Sequence, residues 1–204
     1  MNIDLLTTYN ELMTKITALR AEAKTTASTI LHEGTKSYFD KYRHIVEQIF
    51  WTQYTPWFND GETCEFSVGE PHLVLVADEN EDKYEYGSAF HTDIEGYEAS
   101  LAVWAEFNAD PEAYKTKLEV SNPNYFNARW NPREAYRPYY PTEEELHSYI
   151  AQAKSYPEGL VADTQALFEF ISSIEPEIME ELFTNHVTVR ITATGIETEE
   201  YSHE

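Results

Sequence analysis

The chain has 204 residues and carries 37 acidic against 14 basic side chains, a net charge of −23. A surface of that sign repels nucleic-acid phosphates and anionic lipid headgroups, which argues against direct binding of DNA, RNA or membranes through a basic face. The hydrophobic fraction of 42% and aromatic fraction of 14% point to a packed core rather than disorder, and the length to a single domain over residues 1–204. The longest apolar run, around Leu73–Ala77, is only about six residues, far short of a bilayer span. The first basic residue is Lys15, and no signal-peptide pattern opens the chain. The lone Cys64 excludes an intrachain disulfide. Together these features predict a cytoplasmic protein.

Leu5, Tyr9, Leu12, Ile16, Leu19 and Ala23 recur at alternating steps of four and three, which predicts a helix over 3–24 with one apolar stripe. A second helix is expected from Thr26 to Ile49, with Phe39, Tyr42, Ile45, Val46 and Ile49 inward and Gly34 as a break. Pro56 and Asn59-Asp60-Gly61 then mark a turn-rich segment. The β-type runs Thr63–Val68 and His72–Ala77, separated by Gly69-Glu70-Pro71, read as an antiparallel hairpin. Asp78–Asp82 reads as an acidic turn and Glu95–Phe107 as a helix. Asp110-Pro111 has the pattern of an N-cap and first helical position, opening a helix to Val120. Residues 121–141, rich in proline, aromatic rings and arginine, read as a long irregular loop. Thr142-Glu-Glu-Glu145 is a capping-box pattern. Helices follow over 157–174 and 176–184, divided at Pro176. Val187, Val189 and Ile191 alternate with Thr188, Arg190 and Thr192, and a turn at Thr194-Gly195 leads to a last strand, Ile196–Tyr201. The sum is an α+β fold with an N-terminal helical pair, a small antiparallel sheet of about four strands in two hairpins, and several further helices.

The segment Trp51-Thr-Gln-Tyr-Thr-Pro-Trp-Phe-Asn-Asp-Gly-Glu-Thr-Cys-Glu-Phe-Ser-Val68 resembles one found in a group of bacterial and phage proteins. The ending His186-Val-Thr-Val-Arg-Ile-Thr192, with Gly195-Ile-Glu-Thr-Glu-Glu-Tyr-Ser-His203, is similar to the C-terminal hairpin of the same group. The likeness implies a shared fold and carries over no activity.

Two segments offer binding chemistry. The corner Trp51–Glu62 supplies Trp51, Gln53, Tyr54, Trp57, Asn59, Asp60 and Glu62. Its rings could stack on a ligand and its amides and carboxylates could hydrogen-bond one. The competing reading, which we favour, is a helix-to-sheet corner whose rings plug the core. Arg129, Arg133 and Arg137 are three of only five basic residues after position 120. They could form an anion pocket, although pairing with the abundant carboxylates or stacking on neighbouring rings is favoured. Asp78, Asn80 and Asp82 match the first three ligand positions of a calcium loop, but Lys83 replaces its glycine and Ala89 its final glutamate. His91-Thr-Asp93 has no companion ligands at metal-binding spacing. Cys64 has no cationic activator nearby and reads as an inert, buried strand residue. With neither a phosphate-binding glycine loop nor a GxSxG elbow in the sequence, no metal and no cofactor are expected.

The charge is uneven: residues 1–62 carry eight acids and six bases, and residues 63–204 carry 29 and eight. The net −21 of the second part matches about 36 Å of duplex DNA, close to the ~43 Å diameter expected of a globule this size. Glu143, Glu144 and Glu145, with Glu177, Glu180 and Glu181, are the candidate acidic face. The leading expectation is a non-enzymatic, acidic interaction protein, a phage-type modulator that occupies a basic, nucleic-acid-binding surface of a host protein as a DNA mimic does. The alternative is an enzyme or small-ligand binder that uses the Trp51–Glu62 corner and the Arg129–Arg137 loop.

Overall fold

A computed structural model describes residues 3–56, 63–121, 138 and 141–201. Its elements are α1 (Ile3–Tyr42), β1 (Val46–Tyr54), β2 (Ser67–Val68), β3 (His72–Leu75), α2 (Lys83–Tyr86), α3 (Ile94–Ala109), α4 (Pro111–Ser121), α5 (Glu143–Ser155), α6 (Leu160–Ser173), α7 (Pro176–Phe183), β4 (Val187–Thr192) and β5 (Gly195–Glu200). The α+β class is as expected. No helix among the described residues is long and apolar enough to cross a membrane. The chain forms two compact units, residues 1–89 with 159–204, and residues 90–158.

In the first unit the expected helical pair is one 40-residue helix. Gly34 does not break it. A glycine in a helix interior costs only about 1 kcal/mol, and the turns around it are anchored by buried Leu31, Thr35, Tyr38, Phe39 and Tyr42. The helix ends at Tyr42, where Ile45 N donates to Tyr42 O at 2.8 Å and turns the chain. The run Val46–Tyr54, rich in β-branched and aromatic residues, then forms a strand where helix was expected to continue to Ile49. It is the spine of an antiparallel sheet: β4 pairs along one edge, and β2 and β3 share the other. Thus β2 and β3 lie end to end along β1 instead of forming their own hairpin. The terminal hairpin β4–β5 is as expected, with β5 at the sheet edge.

The buried half of α1 is tied to α6. Tyr38 Oη and Thr164 Oγ1 lie 2.6 Å apart, and burial pushes the Tyr38 phenol up to about 12. Lys41 Nζ and Tyr42 Oη each donate to Asp163 Oδ2 at 2.7 Å. Gly159, just before α6, has φ +87°, and a Cβ there would stand 3.1 Å from Tyr42 Oη; glycine meets both demands. The hydrogen bonds from Lys41 and Tyr42 hold the Asp163 carboxyl below its ordinary range. A depressed carboxyl adds stability that is complete above its unfolded pKa, about 3.9, and is lost as pH falls through the folded value. Acid unfolding followed by circular dichroism should therefore show an extra loss below about pH 4 in the wild type that Asp163→Asn lacks. Parallel curves would refute the linkage.

In the second unit α3 packs on α5. Asp93 caps α3 by accepting from Gly96 N, Asp110 Oδ1 accepts from Ala113 N at 3.0 Å at the start of α4, and Thr142 and Glu145 form the expected capping box of α5. The indole of buried Trp104 donates to Pro141 O at 3.0 Å. His91 stacks on Tyr149 with ring centroids 3.6 Å apart, and burial lowers its pKa. The His91-Thr-Asp93 fragment is thus one packing residue and one cap.

Candidate functional site

Strand alternation gives the sheet two unlike faces. Ile49, Trp51 and Gln53 of β1 stand beside Ile191, Val189 and Val187 of β4, all of them buried. The opposite face carries Phe50, Thr52 and Tyr54, with Arg190 and Thr188 beside Phe50 and Thr52, and His72 across from Phe50. On the next strand Glu197 lies opposite Arg190 and Glu199 opposite Thr188. This second face is polar and aromatic.

The segment 76–88 returns alongside it. Ser88 ties the return to β3, its N–H donating to Leu73 O at 2.6 Å and its hydroxyl accepting from Leu75 N at 2.8 Å. Within the segment Asp78 Oδ1 accepts from Asn80 N and Asn80 Oδ1 from Asp82 N, two successive side-chain turns. The first of these bonds, with one from Ser88, holds the Asp78 carboxyl below its ordinary range. Lys83 is the anchor. Its buried ammonium donates to Asp78 O at 2.7 Å, Glu47 Oε2 at 3.1 Å and Leu75 O at 3.4 Å. Burial works to lower its pKa, but the hydrogen bond and charge of Glu47 outweigh that and raise it. With the one base of the segment turned inward, the acids around it face outward.

The result is an open groove of about 580 Å³ floored by Phe50, Thr52, His72, Thr188 and Arg190. Its walls are Glu81, Asp82, Tyr84, Glu85, Tyr86 and Tyr201. His72 stacks on Phe50 at 5.2 Å, and Tyr201 meets Tyr54 at 5.5 Å. Tyr84 Oη donates to Glu47 Oε1 at 2.8 Å. The hydrogen bond to Glu85, and its charge, raise the pKa of the Tyr86 phenol. Arg190 shows what such a surface accepts: its guanidinium lies 5.5 Å from the Phe50 ring centre and its Nε donates to Glu199 Oε2 at 3.1 Å. Ring faces and carboxylates together suit an organic cation.

The sequence-selected residues fall in different places. Trp51 and Gln53 are fully buried. Trp51 Nε1 donates to Gln53 Oε1, and Gln53 Nε2 donates to Met179 O and Thr184 O. That pair braces a corner where Thr184 and His186 both have positive φ. Tyr54 is half-buried on the polar face. Trp57, Asn59, Asp60, Glu62, Arg129, Arg133 and Arg137 lie outside the described residues. Cys64 is half-buried and precedes β2 rather than lying in a strand.

The six selected glutamates divide between the units. In the second unit Glu145 is turned back onto Thr142, Glu143 accepts from Asn108 Nδ2 at 3.0 Å, and Glu143 and Glu144 line a groove of about 630 Å³ with Trp104 and His147. Acids in the first turn of a helix also complement its dipole. In the first unit Glu177, Glu180 and Glu181 are exposed on α7, and Glu181 pairs with Lys24 at 3.3 Å. That unit holds 25 acids against eight bases. Sequence reasoning missed the aromatic and acidic groove. A signal was available in the single lysine of Asp78–Glu85, flanked by acids and followed by Tyr84 and Tyr86.

Among the described residues no group of three or more His, Cys, Asp or Glu side chains is arranged to hold a metal ion. Compared with known proteins, the chain matches no family model, no curated protein and no solved structure.

Proposed function

We propose that the protein is a non-enzymatic, acidic interaction protein of the cytoplasm, a phage-type modulator that occupies a basic, nucleic-acid-binding surface of a host protein in the way a DNA mimic does. The observation that carries this reading is the groove on the polar face of the sheet, where exposed Tyr84 and Tyr86 stand with Glu81, Asp82 and Glu85 above a floor that already holds one guanidinium. A lysine or arginine side chain from a partner would meet a ring face and a carboxylate there, as Arg190 does within the chain. The charge adds reach. Residues 159–204 carry ten acids and one base, and such a field speeds encounter with a basic surface.

The test is capture of partners from lysate at low and high salt, followed by titration of an arginine-rich peptide into the purified protein. Basic, nucleic-acid-binding proteins are expected at low salt. Affinity for the peptide should fall steeply as the screening length shrinks from about 30 Å at 0.01 M to about 8 Å at 0.15 M. Failure to recover any basic partner at low salt, or peptide binding indifferent to salt, would end this reading.

A further inference from the structure

The N-terminal half of α1 carries a surface of a different kind. Leu5, Tyr9, Leu12 and Leu19 are 69%, 57%, 55% and 64% exposed, and with Ile16, Ala23, Thr26 and Ile30 they repeat at steps of four and three. That spacing is the seam of a two-helix coiled coil. The stretch 5–30 is about 39 Å long at 1.5 Å per residue. Its lower end borders an open groove of about 800 Å³, where Ala23, Thr26 and Ala27 face Phe170, Ile174 and Ile178.

We infer that the occupant of this stripe is a second copy of the chain, with the two α1 helices antiparallel and crossing between Ile16 and Leu19. Charge decides against the acidic protein's expected basic partner at this place. Residues 3–30 hold three acids and three bases, so the stripe is neutral on a molecule of −23 and neither repels its own kind nor attracts a cation.

Side-chain size decides the direction. In the antiparallel register Ile16 meets Leu19, Leu12 meets Ala23, Tyr9 meets Thr26 and Leu5 meets Ile30. Each large residue near the N-terminus thus faces a small or medium one near the groove, and Tyr9 and Leu12 of one copy enter the groove of the other. A parallel pair would set Tyr9 on Tyr9 and Ala23 on Ala23, crowding one layer and leaving a void at another.

The flanking charges agree. Antiparallel pairing brings Lys15 of each copy beside Glu22 of the other, whereas parallel pairing brings Lys15 beside Arg20. Among the described residues Lys15, Arg20 and Glu22 make no ion pair of their own.

Sedimentation equilibrium of the full chain tests this. The wild type is expected to dimerise. Lys15→Glu sets like charges together at two symmetry-related places and should weaken the dimer roughly tenfold. The double variant Lys15→Glu/Glu22→Lys should restore it. Leu12→Glu/Leu19→Glu should give a monomer that keeps the near-ultraviolet dichroism of the wild type, because both positions are exposed in the single chain. Tighter association of Lys15→Glu would mean a parallel pair. A wild type that stays monomeric at about 100 μM, or a dimer that Leu12→Glu/Leu19→Glu leaves intact, would equally overturn the proposal, leaving the stripe to another protein's helix or the dimer to another face.

Discussion

Replacing Trp51 with alanine should lower the unfolding free energy by about 3–5 kcal/mol, the range for deleting a large buried aromatic side chain. The indole is wholly inside, edge-on to Phe183 at 5.7 Å, in the central strand beside Val189. Its loss removes apolar contact and also takes away the donor to Gln53 Oε1. Gln53 then loses orientation, and with it the bonds to Met179 O and Thr184 O that hold the strained entry to β4. Trp51→Phe keeps most of the volume but not the donor, so it should cost about 1–3 kcal/mol, the value of a buried polar atom left unpaired. Urea unfolding monitored by near-ultraviolet circular dichroism distinguishes the two variants. Equal, small losses would show that the indole is not the keystone of this sheet.

The second large effect concerns binding. The triple variant Glu81→Gln/Asp82→Asn/Glu85→Gln removes three charges from the wall of the polar-face groove and leaves its shape unchanged. Exposed charge pairs are worth about 0.2–1 kcal/mol each, so affinity for an arginine-rich peptide should drop roughly 3- to 150-fold at low ionic strength. The salt dependence should flatten with it, since fewer charges take part. Tyr84→Ala/Tyr86→Ala should produce a further loss that persists in salt, because attraction of a cation to a ring at contact distance is screened less than a field acting across water. Titration calorimetry at two salt concentrations reads both. Unchanged affinity in the charge variant would remove the groove from the proposed function while leaving the fold as described.

Local signals in the sequence were sound wherever the stabilising partner is close along the chain. Thr142 and Glu145 satisfy each other within one helical turn, Asp110 and Pro111 open α4 together, and Pro176 starts α7 at its first position. The Val187–Thr192 alternation is likewise self-contained, because the turn and partner strand follow at once. Errors arose where a distant partner decides. Ile45, Val46 and Ile49 fit a helical face as well as a strand, and only pairing of β1 with β4, some 140 residues later, resolves the choice. Gly69-Glu70-Pro71 looks like a hairpin turn, yet it joins two short strands that both prefer the long edge of β1. The groove was hidden for the same reason. Phe50, Tyr84 and Arg190 come from three separate segments, and what turns the acids outward is Lys83, whose three acceptors include two backbone carbonyls no residue pattern can announce.

The pairing of β1 with β4 also sets a timetable for synthesis. Trp51 and its cross-strand neighbour Val189 are 138 residues apart, so at translation rates of about 5–20 residues per second the first waits roughly 7–28 s for the second. Throughout that interval β1 has an unpaired edge and an aromatic side chain with no sheet partner on that edge, while the whole of residues 90–158 is being made. An unpaired edge and an uncovered ring favour aggregation, so the yield of folded protein from cell-free synthesis is expected to rise when chaperones are added.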